Sequence, residues 1–254
     1  MHHRGFASGG AGKSAPLQAR LAVAGQLAQN AQMLKPDARG YFITGSDTDV
    51  GKTYIACQIV SQLRAAGIVV ETRKPAESGC RPGAGDDLLT HDAAALRQAN
   101  GARESIEQIA PYRFRAALAP HRAARLEGRS VHMQDLIDAC TRDRADCCLI
   151  VEGAGGFYSP LAENGLNADL AEALQLAVII VVYDRIGAVN QALMTLQTVT
   201  SRHLRVAAII LNQVSPMTDN DMDNAADLQV YCELPIIRCK HDARLPPIFG
   251  AEHD

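Results

Sequence analysis

The amino-acid sequence predicts an α/β protein: a doubly wound, mostly parallel sheet with helices on both faces. Three observations lead there. Short apolar runs alternate along the chain with longer stretches of helical period, the pattern of consecutive βα units. The run LAVIIVVY (176–183) is apolar up to its final tyrosine, as a strand buried on both faces requires, and it is much too short to span a bilayer. The stretch FITGSDTDVGKT (42–53) joins an apolar strand end to a glycine-framed loop that opens a helix.

Taken in order, strands are expected near 40–44, 68–74, 147–152, 177–183, 206–211 and 235–238. After the first, KTYIACQIVSQLRAAG (52–67) sets Ile55, Ile59, Val60 and Leu63 at helical spacing and stops at Gly67, a natural C-terminal cap. Helical period also marks 92–100, 131–143, 167–175, 188–202 and 219–232. No internal repeat or linker interrupts the series, so residues 39–254 are expected to form a single domain. A chain of 254 residues, 47% of them hydrophobic, can bury one large core.

Residues 1–38 are expected to lie outside that domain as a flexible or helical extension. The first 36 carry Arg4, Lys13, Arg20 and Lys35 but no acid, a composition like that of an organelle transit peptide. The plainer reading is an accessory segment or a misassigned start, with Met33 as initiator. The location expected is cytoplasmic, or mitochondrial if the segment is a targeting signal. A formal net charge of −3 and 4% aromatic residues give no basic field or stacking platform for nucleic acid, and no segment asks for a membrane. The seven cysteines lack zinc-site spacing, and Cys57, Cys147 and Cys148 sit in apolar runs, which suits a reducing compartment. His2, His3, His121, His241 and His253 likewise lack the spacing of a transition-metal site.

In open α/β sheets ligands bind beyond the carboxyl ends of the strands. The residues at those ends read GSDTDVGKT, KPAESG, EGAGG, YDRIGAVN and NQVSP. In the first, backbone N–H groups of Asp49, Val50 and Gly51 would face a polyphosphate, Lys52 would add charge, and the Thr53 hydroxyl would take Mg²⁺. Gly45 and Gly51 enclose five residues where the common motif has four, but the strand, loop and helix context is kept and makes the fold P-loop NTPase-like. Mg²⁺ wants oxygen ligands, so one or two carboxylates must stand nearby. Glu152, after the apolar strand CCLIV, is the first candidate, and Asp92, Asp86 and Asp87 compete for the second place. Lys74 ends the second strand and would point at the same pocket as Lys52, an arrangement suited to a reaction that builds negative charge.

In this order and at these separations, GSDTDVGKT, KPAESG, VEGAGG, IGAVNQALMT and LNQVSP resemble the dethiobiotin synthetases of the biotin pathway, with PYRF (111–114) and the stretch 119–131 adding to the likeness. The resemblance implies an ATP-dependent cyclo-ligase that carboxylates 7,8-diaminononanoate with CO₂ and closes a ureido ring through a carbamic-phosphoric anhydride, releasing ADP and phosphate. It implies that Lys52 balances charge on the transferring phosphoryl group, that Lys74 holds the carbamate, and that Thr48 and Ser78 line the phosphate and diamine site. It selects Asp92, with Thr53 and Glu152, as the Mg²⁺ set, and places Asn212 at the nucleobase. Gly155 and the helix start at Gly187, Ala188, Val189 and Asn190 would bind substrate, the latter from a neighbouring subunit, so a homodimer is implied.

Three departures stand out. Ser46 replaces the usual threonine, Glu77 puts an acid where the family tends to have an uncharged residue, and the chain after LPII reads RCKHDARLPP in place of a Gly-x-Ile-Pro stretch and a helix. The acid is expected to repel a carbamate unless it points away. The rivals are a cobyrinate-type amide ligase, which would want a glutamine-hydrolysing domain with a nucleophilic cysteine elbow, and a partitioning-type switch ATPase, which would want basic patches or a terminal amphipathic helix.

Overall fold

The computed structural model describes residues 33–85, 87–141, 146–216 and 222–250. Most of the expected N-terminal extension therefore lies outside the described residues. Six strands form one parallel sheet: β1 (Gly40–Gly45), β2 (Val70–Arg73), β3 (Cys148–Gly156), β4 (Ala177–Tyr183), β5 (Val206–Asn212) and β6 (Ile236–Cys239). Their order across the sheet is β6-β5-β4-β1-β3-β2. The chain runs outward from β1 to β2, returns to β3 beside β1, and then builds β4, β5 and β6 on the other side.

Alternation along each central strand supplies two cores. Phe42, Leu149, Val151, Val178, Ile180 and Val182 face one side. Tyr41, Ile43, Cys148, Ile150, Ile179 and Val181 face the other. The first face is covered by α4 (Pro120–Leu126), α5 (Met133–Ala139), α6 (Asn167–Leu174), α7 (Ala188–Ser201) and α8 (Asn224–Gln229). The second is covered by α1 (Lys52–Ala65), α2 (Asp92–Ala99) and α3 (Ile106–Ile109). With both faces buried, period-two patterning gives way to continuous apolar runs, which is why the strands are so easily read from sequence.

Residues 240–250 fold back as a strap over α1. Tyr54 Oη donates to Ala243 O at 2.7 Å, and Gln62 both donates to Pro246 O at 3.0 Å and accepts from Ile248 N at 2.9 Å. The strap is completed from the other end of the domain, where Leu34 N donates to Ile248 O and Tyr41 packs on Phe249 with ring centroids 5.8 Å apart. Thus residues 33–38 are part of the packed body at this point, and the domain starts a few residues before the boundary expected at 39. The segment RCKHDARLPP does not make the helix common in the family; Leu245, Ile248 and Phe249 bury their side chains against the second core instead.

Candidate functional site

The loop after β1 is shaped by two residues in the left-handed region, Asp49 (φ 58°) and Gly51 (φ 86°). Gly51 is the N-cap of α1 and brings no side-chain cap, so the first N–H groups of the helix are left to face the cleft, as an anion site requires. The Asn212 amide presses against the place a Cβ would occupy on Gly51, and its Nδ2 donates to Val50 O at 2.9 Å. Lys52 Nζ curls back to donate to Asp47 O at 2.9 Å. Burial, then the nearby Lys74 charge, push the Lys52 ammonium down to about 8, so an anion in the loop would find a cation short of a partner.

Across the loop, one oxygen gathers the second set of groups. Glu152 Oε1 accepts from Thr53 Oγ1 at 2.7 Å and from Lys74 Nζ at 2.7 Å. Lys74 Nζ also pairs with Asp92 Oδ2 at 2.9 Å and donates to Gly153 O at 3.1 Å. Burial opposes the Lys74 charge, but Glu152 and Asp92 outweigh it and hold the ammonium above its ordinary range. Asp92 goes the opposite way: against its burial, Lys74 and hydrogen bonds from Thr53 and His91 bring it down to about 2. The other oxygen, Glu152 Oε2, is buried with no hydrogen-bond partner. A hydroxyl, two carboxylates and an orphaned carboxylate oxygen are a donor set that fits a partly hydrated hard cation such as Mg²⁺.

The strand that carries Glu152 bends immediately after it. Ile43 is opposite Glu152 but Gly45 is opposite Gly156, so β3 bulges through the GAGG segment. Asn167, buried at the start of α6, holds the bulge by accepting from Ala154 N at 2.9 Å and donating to Gly156 O and Ser159 O at 3.2 Å. A Cβ on Gly153 would stand 2.6 Å from Asn167 Oδ1, so this position needs glycine for room. Loop, lysine cluster and bulge enclose a cleft of about 750 Å³, walled on its far side by residues 117–120.

A family model described as an AAA domain matches residues 39–240. Named ATP-dependent dethiobiotin synthetases align over most of the chain. The protein from Anaeromyxobacter dehalogenans (strain 2CP-1 / ATCC BAA-258) is 43% identical, covering 75% of this chain and 84% of its own. Those of Vesicomyosocius okutanii and Caulobacter vibrioides are each 38% identical, covering 78% and 72% of this chain and 88% and 84% of their own. The chain belongs to the dethiobiotin synthetase family.

Of the residues that the dethiobiotin synthetase pattern singles out, Thr48, Asp49, Gly51, Lys52 and Thr53 line the cleft from the loop side. Lys74 and Ser78 from the segment after β2, Asp92 from the start of α2, and Glu152 and Gly155 from β3 line it on the other side. Among the competing carboxylates, Asp92 joins the cluster, whereas Asp87 accepts from Leu88 N and faces Arg113 at 3.8 Å; Asp86 lies outside the described residues. Two further residues turn to backbone groups. Asn212 reaches the phosphate loop from β5: its Nδ2 donates to Val50 O at 2.9 Å and lies against Gly51, a residue of the cleft wall. Glu77 does not aim at Lys74. Its Oε1 accepts from His91 N at 2.7 Å and Asp92 N at 2.9 Å, and its Oε2 accepts from Ala93 N at 2.9 Å.

Gly187, Ala188, Val189 and Asn190 do not line this cleft. Gly187 (φ 89°) opens α7 without a side-chain cap elsewhere on the surface, and the Ala188 N–H is taken by Arg185 O at 3.0 Å. Sequence reasoning did not pick out Ser159, Asn167 or the wall residues Ala117 and Leu118, and it named 119–131 only as part of the family likeness. Pro120 at the first turn of α4 was a usable helix-start signal. Nothing local marks Asn167, whose partners lie 8 to 13 residues away.

Proposed function

We propose that this chain is an ATP-dependent dethiobiotin synthetase acting on 7,8-diaminononanoate, CO₂ and ATP with Mg²⁺, in the cytoplasm and as a homodimer. The observation that carries the reading is the meeting of Lys74, Asp92, Glu152 and Thr53 beside the phosphate loop in one cleft. The loop amides of Asp49, Val50 and Gly51 hold the ATP phosphates, and Lys52 leaves Asp47 O to meet the terminal phosphoryl group. Thr53, Asp92 and Glu152 would hold Mg²⁺, which when bound supplies positive charge between the phosphates.

One substrate amine takes up CO₂ as a carbamate, whose charge Lys74 receives. A carbamate oxygen then attacks the γ-phosphorus and ADP leaves, giving a carbamic-phosphoric anhydride. Lys52 and Lys74 flank the charge that builds up and stabilise it electrostatically. The second amine attacks the carbonyl carbon, loses a proton and expels phosphate, closing the ring. Thr48, Ser78 and Gly155 border the diamine, and residues 187–190 of a second subunit receive its carboxylate at a helix start. Among the described residues, neither rival function has a structural feature in its favour. Purified protein should release phosphate from ATP only when both the diamine and bicarbonate are present. Hydrolysis indifferent to the diamine would overturn the proposal.

A further inference from the structure

Helix α2 begins without a cap of its own. His91 occupies the N-cap with helical backbone angles (φ −97°, ψ −53°) and gives no side-chain hydrogen bond to the helix N–H groups. Three consecutive donors, the N–H groups of His91, Asp92 and Ala93, would be unsatisfied at a helix start. All three are taken by one carboxylate, Glu77, which lies 14 to 16 residues earlier in the chain and is 4% exposed. An anion there also meets the positive end of the helix dipole.

The backbone of Glu77 is equally committed. Its carbonyl accepts from Phe114 N at 2.9 Å, and Ala76–Glu77 pairs in parallel with Tyr112–Arg113 of the PYRF stretch. Glu77 therefore ties together three pieces of chain: the loop that carries Lys74 and Ser78, the segment leading to the far wall of the cleft, and the first residue of α2. That first residue is Asp92, whose side chain is the more exposed of the two carboxylates on Lys74. From the helix side the other contact on its carboxylate is the exposed His91 ring, with Nδ1 3.3 Å from Asp92 Oδ1.

We infer that Glu77 is a positioning residue of the site: by capping α2 across the cleft it fixes the backbone from which Asp92 reaches Lys74 and the cation. The inference rests on the reading of Asp92 as a cation ligand. It also accounts for an acid beside a carbamate site. Its two oxygens are turned to three N–H donors and its charge is spent on the helix, so Lys74 keeps its own for the substrate. Glutamine could offer one oxygen where three donors converge and would face its own amide N–H groups toward them. A shorter aspartate keeps both oxygens and can restore part of the cap.

The test uses the full chain, and its first readout needs no turnover. Mn²⁺ binding is followed by electron paramagnetic resonance in the presence of a non-hydrolysable ATP analogue, for the parent and for Glu77→Gln, Glu77→Asp, Glu77→Ala and Asp92→Asn. Steady-state constants for the diamine are measured alongside. Mn²⁺ affinity is expected to fall at least tenfold in Glu77→Gln and Glu77→Ala, with Glu77→Asp intermediate, while the KM for the diamine moves less than threefold. Mn²⁺ affinity unchanged in Glu77→Gln but lowered in Asp92→Asn would overturn the positioning role alone. Affinity unchanged in Asp92→Asn would overturn the cation reading beneath it. A rise in diamine KM in Glu77→Gln with Mn²⁺ affinity intact would make Glu77 a substrate contact instead. If Glu77→Ala does not fold, the glutamine and aspartate variants decide.

Discussion

Replacing Lys74 by methionine, which nearly keeps its volume, removes the one cation that Glu152 and Asp92 share at 2.7 and 2.9 Å. Glu152 is 1% exposed and Asp92 27%. Breaking a buried ion pair from one side typically costs about 3–5 kcal/mol, because the remaining charge is left unpaired. Asp92 is partly solvated, so the lower half of that range applies. For a chain of this length each kcal/mol moves Tm by about 2–4 °C, which gives a fall of roughly 6–16 °C in EDTA. Millimolar Mg²⁺ supplies a cation to the same oxygens and should recover at least half of the loss. The turnover lost with the ammonium should not return. Paired thermal melts of parent and variant, with EDTA and with Mg²⁺, provide the measurement. An equal deficit in both conditions, or none in EDTA, would refute the idea that ammonium and metal ion share these carboxylates.

Three further outcomes are expected. Gly51→Ala forces a side chain into the left-handed region and onto the Asn212 amide, a strain of roughly 1–3 kcal/mol; calorimetry should show ATP-analogue affinity at least tenfold weaker, partly regained in the Gly51→Ala, Asn212→Ala double variant. Ile186 is 82% exposed beside the α7 start, so Ile186→Asp should shift a homodimer to monomer in sedimentation velocity and abolish turnover; a monomeric parent would refute this use of the surface. The Asp169 carboxyl lies below its ordinary range, since Leu166 N–H and Arg202 outweigh its partial burial. A depressed acid adds stability above about pH 4 that disappears as pH falls through its folded pKa. Asp169→Asn should therefore lower Tm at pH 7 and leave it almost unchanged near pH 2.

The sheet was legible because its strands are buried on both faces and their apolar runs are broken by loops rich in glycine. All six expected strands are present, within two residues at most ends. α1, α2, α6 and α7 were read equally well from helical spacing. α3 was missed although Ser105 and Gln108 form a capping box, a signal written in four adjacent residues. The phosphate loop and its lysine could be named because the chemistry is local. The choice among Asp86, Asp87 and Asp92 could not be made from spacing, since it depends on where α2 comes to rest against Lys74. Glu77 was left conditional for a related reason: repulsion was expected unless the acid pointed away, and the backbone groups it turns to are displayed by no sequence motif. The bond from the Asn212 amide to Val50 O joins residues 162 positions apart, which spacing along the chain does not show.

The central strand β1 has both its neighbours far downstream: Tyr41 is opposite Ile150 on one side and Ala177 on the other. A growing polypeptide therefore emerges from the ribosome with GYFITG, a ribbon buried along its whole length in the folded molecule, bare along both edges until well over half of the chain has been made. During that interval it is a sticky template for other chains, and holding factors at the tunnel exit are its natural custodians. Catalytic competence must arrive late and all at once, because the last strand to dock beside β1 follows the one that carries Glu152.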